Sequence, residues 1–200
     1  MGEKHHKRLI VGVSGASGAI LAVRLLKALA GLEVETHLVA SRAAALTLNQ
    51  EMGLTQADLA AMASVAYRPG DVGAAIASGS FKTAGMIIAP CSIRTMSEIA
   101  TGVTASLLTR AADVTLKERR PLVLMVRESP LHLGHLRTLT ALAEMGAVIA
   151  PPAPAFYAKP PTLEAMVDQC VGRVLDLFGL DAGGVKRWGE DIAALEDSEP

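Results

Sequence analysis

Apolar and polar positions follow two different periods along the chain. Short continuous apolar runs, such as LIVGV after Arg8 and LVLMV after Pro121, are typical of parallel strands that are buried on both faces. Between these runs, apolar residues recur three and four positions apart, which predicts helices with one buried face. Because the strand and helix patterns alternate, we expect a parallel sheet covered by helices on both sides and joined by right-handed crossovers.

The predicted elements indicate one α/β domain over residues 1–200. Strands are expected at residues 8–13, 34–41, 84–90, 121–126 and 147–150. Helices are expected at residues 17–31, from 41 onward, 92–100, 107–119, 135–146 and 163–178. Five strands in this order favour a three-layer α/β/α sandwich with a flavodoxin-like, or Rossmann-like, parallel sheet. Residues 1–7 are expected to form a flexible N-terminus, and residues 179–200 a polar tail that frays or contacts a neighbouring subunit.

Composition and charge narrow the function. The 200 residues carry a formal net charge of −1, which does not favour nucleic acid or an anionic membrane surface as a partner. The charged start and the short, glycine-interrupted apolar run after it do not fit a signal peptide or a membrane span, so a cytoplasmic protein is expected.

Cys91 and Cys170 form no CxxC pair, and His132 and His135 lack acidic or cysteine partners at ligand spacing. Neither a disulfide framework nor a metal site is expected.

Polar residues follow the predicted strands, at the edge where parallel sheets bind their ligands. The first strand leads into glycines at 12, 15 and 18, a spacing that differs from the GxGxxG of dinucleotide folds. The second strand ends in Ser41, where a dinucleotide fold would place an acidic residue. We therefore expect a mononucleotide phosphate, bound by backbone N–H groups of the next helix and by the hydroxyls of Ser17 and Ser41. The alternative is a tight glycine turn in which Ser17 only caps the helix.

The third and fourth strands are followed by further candidates. Ser92 and Thr95, directly after a buried strand, predict either a second anion contact or a simple helix cap. Arg127 and Glu128 follow the fourth strand. An ion pair at this edge would contribute little to packing, which favours a role in the site over a solvated strand end.

Several longer motifs resemble one known family. The segments GVSGASGAI, SGSF, APCSIRTMSEIA, LLTRAADVTLKERRPLVLMVRESPL, GAVIAPPAPAFY and RWGE are similar to motifs of the UbiX-type flavin prenyltransferases, over about residues 8–190. The resemblance implies a flavodoxin-like fold assembled as a homododecamer. It also implies that dimethylallyl monophosphate alkylates reduced FMN at N5 and C6 without a metal, and that the prenylated FMN serves a UbiD-type decarboxylase.

The resemblance also implies roles for two groups of residues. The group expected to bind FMN is Gly15, Ala16, Ser17, Ser41, Ser92, Ile93, Arg94, Thr95 and Arg127. The group expected to meet the prenyl phosphate is Lys117, Glu128, Tyr157 and Arg173, with Trp188 shielding the developing cation. Lys117, Arg173 and the Tyr157 hydroxyl would neutralise the leaving phosphate. Glu128, with the Ser17 hydroxyl as a relay, would act as general acid and base. Some residues of the two groups would come from adjacent subunits.

The chain departs from the family pattern at Ala105 and Ser106, where Asn, or Asp and Asn, is usual. Contacts of that loop, and subunit packing there, are therefore expected to differ from the family pattern. Glu51 matches an acidic position of the family, but we assign it no chemical role at this point.

Three alternative functions stay open on the sequence. A flavin-dependent cysteine decarboxylase of the same fold group needs a histidine in its loop, but the five histidines lie elsewhere, at 5, 6, 37, 132 and 135. A direct aromatic acid decarboxylase would have to release carbon dioxide without a second protein. A non-catalytic carrier of FMN or prenylated FMN would use the same phosphate site.

Overall fold

The computed structural model describes residues 7–192 of the chain, and six strands form one parallel sheet within them. The strands are β1 (Lys7–Val13), β2 (Val34–Ala40), β3 (Val65–Tyr67), β4 (Met86–Cys91), β5 (Leu122–Val126) and β6 (Val148–Ile149). The helices are α1 (Ala19–Ala30), α2 (Arg42–Met52), α3 (Gln56–Ala60), α4 (Ile93–Ala100), α5 (Leu107–Lys117), α6 (Leu133–Glu144) and α7 (Leu163–Asp176). Two short 3₁₀ helices, Ala75–Ala77 and Phe156–Ala158, lie in connecting loops.

The strand order is β3-β2-β1-β4-β5-β6. The predicted three-layer sandwich is confirmed, and the five predicted strands take the flavodoxin-like order β2-β1-β4-β5-β6. The predicted number of strands is wrong, because β3 adds a sixth at the edge. β3 has only three residues and none of them is fully buried, so no apolar run marks it in the sequence. The five-residue helix α3 is also absent from the predicted elements, since it is too short to show a helical period.

The central strand β1 separates two aliphatic layers of the core. Its side chains alternate between the faces, so that Leu9 and Val11 belong to one cluster and Ile10 to the other. Helices α1 and α7 pack on the first face, and α4, α5 and α6 pack on the second. With both faces covered, the carboxyl edge of the sheet is where side chains of several loops converge.

The ends of the chain differ from the predicted boundaries. Lys7 pairs with Val34 as the first residue of β1, so the predicted flexible N-terminus is one residue too long, and residues 1–6 lie outside the described residues. Most of the predicted tail is described, and its residues Val185, Lys186 and Arg187 contact α7, while residues 193–200 lie outside the described part. None of the helices within residues 7–192 is long and apolar enough to cross a membrane.

A polar chain centred on the buried His37 joins the edge strand β3 to the rest of the sheet. The Tyr67 hydroxyl lies 2.9 Å from Nδ1 of His37, and Nε2 of His37 lies 3.0 Å from Glu35. Nε of Arg8 donates to the second oxygen of Glu35 at 3.1 Å. Burial lowers the pKa of His37, and the charge of Glu35 offsets this effect only in part. A neutral imidazole accepts from Tyr67 and donates to Glu35, so every member of the chain is satisfied.

We expect His37 to make the protein less stable as the pH falls from about 8 to about 5. The imidazole of the unfolded chain ionises near its ordinary pKa of about 6.5, whereas the folded protein holds it neutral to lower pH. The unfolded state then binds more protons in this window, and the free energy of unfolding decreases.

Urea unfolding at a series of pH values measures this decrease. His37→Gln should show a shallower slope than the unaltered protein, because the buried imidazole is no longer present to titrate. An equally steep slope in His37→Gln would contradict the assignment.

Candidate functional site

A cleft lies at the carboxyl edge of the sheet, around the point where β1 and β4 pair. Its volume is about 560 Å³, which suits a cofactor-sized ligand. The lining residues are Gly15, Ser41, Arg42, Ala43, Pro69, Gly70, Ser92, Arg94, Thr95, Glu98, Ala105, Ser106, Leu108 and Thr109. The strand order reverses at β1, which leads to β2 on one side and has β4 on the other, so the connecting segments diverge and leave this gap.

Three helices begin at the cleft, and a serine caps each of them. Ser41, Ser92 and Ser106 each accept a hydrogen bond from the backbone N–H three residues later, at 3.1, 3.2 and 3.4 Å. A cap of this kind satisfies one N–H group, while others in the first turn have no partner inside the helix. The positive ends of three helix dipoles therefore meet at the cleft, and this arrangement favours a phosphate group.

The glycine-rich loop after β1 packs tightly against the start of α2. A Cβ atom on Gly15 would lie 2.3 Å from Cβ of Ala43, so only glycine permits this approach. Gly18 has a φ of 104°, in the region that glycine adopts most readily. Gly18, rather than Ser17, is the residue at the N-cap of α1. As a glycine it has no side chain with which to cap the helix. The alternative in which Ser17 caps the helix is therefore wrong.

Glu51, near the end of α2, supplies the acceptor that α1 lacks. Its carboxylate accepts hydrogen bonds from Gly18 N at 2.9 Å and from Ala19 N at 2.8 Å. These are the N–H groups expected to hold a phosphate. Because a carboxylate of the chain itself occupies them, the expected phosphate position moves to the starts of α2, α4 and α5 on the cleft side.

The charge of Glu51 is stabilised by its surroundings. Partial burial acts to raise the pKa of Glu51, but hydrogen bonds from the Ser17 hydroxyl and from the N–H groups of Ala19 and Gly18, together with the charge of Arg127, outweigh burial and lower it. Glu51 is thus an anion at neutral pH beside Ser17. Its partners are 32 and 33 residues away in sequence, which is why motif reasoning missed its role. The signal that could have revealed it is a helix that begins without a capping or acidic side chain.

A second residue that sequence reasoning undervalued is Ser14, at the end of β1. Its buried hydroxyl donates to the carbonyl of Pro90 at 2.8 Å and accepts from Ser92 N at 2.7 Å. Ser14 N donates to the same carbonyl at 3.2 Å. The loop after β1 and the start of α4 are therefore fixed to each other.

The residues predicted to bind FMN gather at this edge. Gly15, Ser41, Ser92, Arg94 and Thr95 line the cleft. Of the remaining four, Ala16 is buried within the loop, Ile93 is partly buried against the core, and Ser17 and Arg127 act on Glu51.

The residues predicted to meet the prenyl phosphate do not reach the cleft. Lys117 ends α5, whose first turn lines the cleft, so it lies about 15 Å away along the helix, where it pairs with Glu118. Glu128 is exposed after β5 and accepts a hydrogen bond from Ser129 N at 2.9 Å. The ion pairs found in residues 7–192 do not include the expected pair of Glu128 with Arg127.

Arg173 and Tyr157 lie in a different part of the molecule. Arg173 lines a second cavity of about 230 Å³, whose other walls are mainly apolar residues of β5, α7 and the loop after β6. Tyr157 lies edge-on to Trp188, with ring centroids 5.6 Å apart. The linings of the two cavities share no residue.

Comparison with known proteins identifies the family. A family model described as Flavoprotein matches residues 1–175. Flavin prenyltransferase UbiX of Escherichia coli strain K12 is 58% identical over 175 residues, which cover 87% of this chain and 93% of the relative. The chain belongs to the UbiX family of flavin prenyltransferases. The UbiX protein of Thauera aromatica is 55% identical over 181 residues, which cover 90% of this chain and 93% of the relative.

Solved structures of UbiX proteins share this fold. AnUbiX (PadA1) in complex with FMN and dimethylallyl pyrophosphate has a TM-score of 0.91 at 46% identity, covering 92% of this chain and 98% of that one. A dodecameric FMN-dependent UbiX-like decarboxylase from Escherichia coli O157:H7 has a TM-score of 0.89 at 48% identity, covering 90% and 98%. The cysteine decarboxylase TvaF is only 19% identical with a TM-score of 0.58, a likeness of fold alone.

The cleft of this UbiX-family chain fits FMN. Three helix starts with serine hydroxyls suit the phosphate, and a volume of about 560 Å³ lies in the range of cofactor sites. The position after β2 is Ser41, without the acidic side chain that would bind a second ribose. Within residues 7–192 no cluster of three or more potential metal ligands occurs.

The departure at Ala105 and Ser106 has a local explanation. Ser106 caps α5 and exchanges hydrogen bonds with Thr109, and a serine hydroxyl is as good an N-cap as an Asn or Asp side chain. Ala105 also lines the cleft, where it presents only a methyl group. The helix start is therefore retained.

We expect Glu51→Gln to destabilise the protein by about 1 kcal/mol, because a charged acceptor at the start of α1 becomes neutral. Thermal unfolding of the unaltered protein, Glu51→Gln and the exposed control Glu144→Gln measures the effect. The control should unfold like the unaltered protein. If Glu51→Gln did so too, its carboxylate would not be the stabilising acceptor of α1.

Proposed function

We propose that this protein is a flavin prenyltransferase. It transfers the dimethylallyl group of dimethylallyl monophosphate to N5 and C6 of reduced FMN and releases inorganic phosphate. The observation that carries the proposal is the cleft at the β1/β4 junction, which has three converging helix starts and no acid after β2, in a chain 58% identical to an enzyme of this name.

The chain binds the flavin phosphate through the first turns of α2, α4 and α5. The hydroxyl of Ser41 accepts from its own helix and retains a proton to donate to an anion. The hydroxyl of Ser92 also accepts from its own helix but donates its proton to Oγ1 of Thr95 at 3.1 Å, which leaves the Thr95 proton for an anion. Arg42 and Arg94 add positive charge at the rim. Reduced FMN supplies the nucleophilic nitrogen at N5 and the ring carbon C6.

The leaving phosphate is neutralised by Lys117, Arg173 and the Tyr157 hydroxyl. Positive groups fixed in place before the reaction favour cleavage of the allylic C–O bond, because they stabilise the charge that develops on phosphate oxygen. These residues lie away from the cleft of their own chain. We therefore infer that neighbouring subunits contribute some of them to each site, in a dodecamer like that of the Escherichia coli O157:H7 relative.

Glu128 handles protons in this proposal, with the Ser17 hydroxyl as a relay. Glu128 is the general acid and base, since it lies on the exposed loop after β5 and can serve a site shared between subunits. Within the chain, the Ser17 hydroxyl contacts Glu51. Because its pKa is lowered, Glu51 stays ionised and orients the Ser17 hydroxyl, which supports the relay role expected for Ser17.

The product is proposed to pass to a UbiD-type decarboxylase, and the cytoplasmic location expected from the sequence remains part of this proposal. The cysteine decarboxylase alternative gains no observation of its own, because the described histidines 37, 132 and 135 lie outside the cleft lining.

Anaerobic incubation with reduced FMN and dimethylallyl monophosphate tests the proposal directly. Mass spectrometry of the extracted flavin should show the added mass of one prenyl unit, together with one equivalent of released phosphate. Bound flavin without a mass increase would contradict prenyl transfer and favour a carrier. Release of carbon dioxide from an aromatic acid by this protein alone would favour a decarboxylase.

We expect Glu128→Gln to bind FMN normally and to lower the rate of product formation at least about 100-fold, because the general acid and base is lost. Flavin affinity is measured by fluorescence quenching, and product by mass spectrometry. The control is Glu144→Gln, an exposed change on α6, which should match the unaltered protein. An unchanged rate in Glu128→Gln would remove this residue from the mechanism.

A further inference from the structure

The segment from Val185 to Ile192, here the C-terminal strap, is attached to helix α7 by its first three residues. Both backbone groups of Lys186 pair with the side-chain amide of Gln169, each at 2.9 Å. The buried side chain of Val185 fits over Gly172, where a Cβ atom would lie 2.2 Å from Cγ2 of Val185. Gly172 thus provides the space in which the strap lies.

One carboxylate on α7 joins the strap to the second cavity. Asp176 accepts two hydrogen bonds from Arg187, one on each oxygen, both at 2.8 Å. It accepts a third from Arg173, at 2.6 Å. Two positive charges therefore share one negative charge, and the group carries a net charge of +1.

The two arginines use Asp176 differently. Arg187 places both terminal nitrogens on the carboxylate, in the two-point geometry that is strongest for this pair. Arg173 uses only one nitrogen, and its side chain is 56% exposed at the second cavity. Because a guanidinium has five N–H donors, Arg173 can bind a further anion while it remains held.

The strap also contacts Tyr157. Trp188, the residue after Arg187, lies edge-on to the Tyr157 ring at an interplanar angle of 88°. The strap thus contacts Tyr157 directly, through Trp188, and Arg173 indirectly, through Asp176. The proposed function assigns both Tyr157 and Arg173 to the prenyl phosphate.

We propose that Asp176 and Arg187 are positioning residues for the prenyl phosphate, an inference that rests on the proposed function. Arg187 donates a hydrogen bond to each oxygen of Asp176. The carboxylate therefore cannot also form a bidentate salt bridge with Arg173. Arg173 is then oriented by one hydrogen bond and stays available to the phosphate.

This arrangement has a specific consequence when Arg187 is removed. Asp176 would retain only Arg173, three residues away on the same helix, and would draw it into a closed ion pair with no net charge. Removal of the Asp176 charge in the same protein would release Arg173 and restore a net charge of +1. A strap with a purely structural role would instead be weakened further by the second change.

Four proteins test the proposal: the unaltered protein, Arg187→Gln, Asp176→Asn and the double variant, with the exposed Arg137→Gln as a charge control. KM for dimethylallyl monophosphate and kcat are measured with saturating reduced FMN. Arg187→Gln should raise KM about tenfold or more, since a charge-assisted hydrogen bond to the phosphate is weakened. The double variant should return to within about threefold of the unaltered KM, and Arg137→Gln should not change it. An unchanged KM in Arg187→Gln, or a double variant as weak as Arg187→Gln, would overturn the proposal.

Two further measurements distinguish failure of the proposed reaction from failure of the proposed positioning role. Trp188 is the only tryptophan, so its fluorescence anisotropy reports whether the strap stays in place in each variant. Calorimetric binding of dimethylallyl monophosphate to the FMN-loaded proteins should follow the same order as KM. If no prenylated flavin forms but this order appears in binding, the proposed reaction fails and the positioning role stands. If the reaction proceeds without this order, or the phosphate does not bind, the positioning role fails.

Discussion

The hydroxyl of Ser14 holds together the two strand ends on which the whole cleft depends. It bridges Pro90 and Ser92 across the junction of β1 and β4, where the chain turns away in opposite directions. A buried hydroxyl that makes both hydrogen bonds is stable only in this geometry, because loss of either partner would leave a polar group unsatisfied in the core. The glycine loop and the start of α4 are therefore held at a constant separation, and a ligand bound between them meets a rigid frame.

The sequence was sufficient for the features that depend on neighbouring residues. Ser41 and Ser92 follow apolar strands directly, and parallel strands must bring their carboxyl ends to one edge, so the place of the site followed from the pattern alone. Ser106 could be recognised only as a departure from the family, since its capping role depends on where α5 begins. β3 escaped prediction because its three residues are stabilised by the polar chain from Tyr67 through His37 to Glu35 rather than by an apolar run.

The features that could not be predicted depend on contacts between distant parts of the chain. Glu51 lies in an ordinary helical segment, and only the folded protein shows that it reaches the start of α1. Asp176 and Arg187 belong to regions that would pass for a solvated helix end and a polar tail. The resemblance to UbiX proteins assigned Lys117 and Arg173 to the site of the prenyl phosphate. Within one chain, however, both residues lie away from the flavin cleft. This separation is the physical reason for proposing a site shared between subunits.

The carboxylate of Glu51 also determines in what order folding and binding can occur. A glycine-rich loop at a helix start usually has unsatisfied N–H groups that an incoming anion orders. Here the chain provides its own anion, so the N–H groups of Gly18 and Ala19 are satisfied without a ligand. Ligand binding then incurs little loss of conformational entropy at this loop, and the affinity gained from the phosphate is not spent on ordering the backbone.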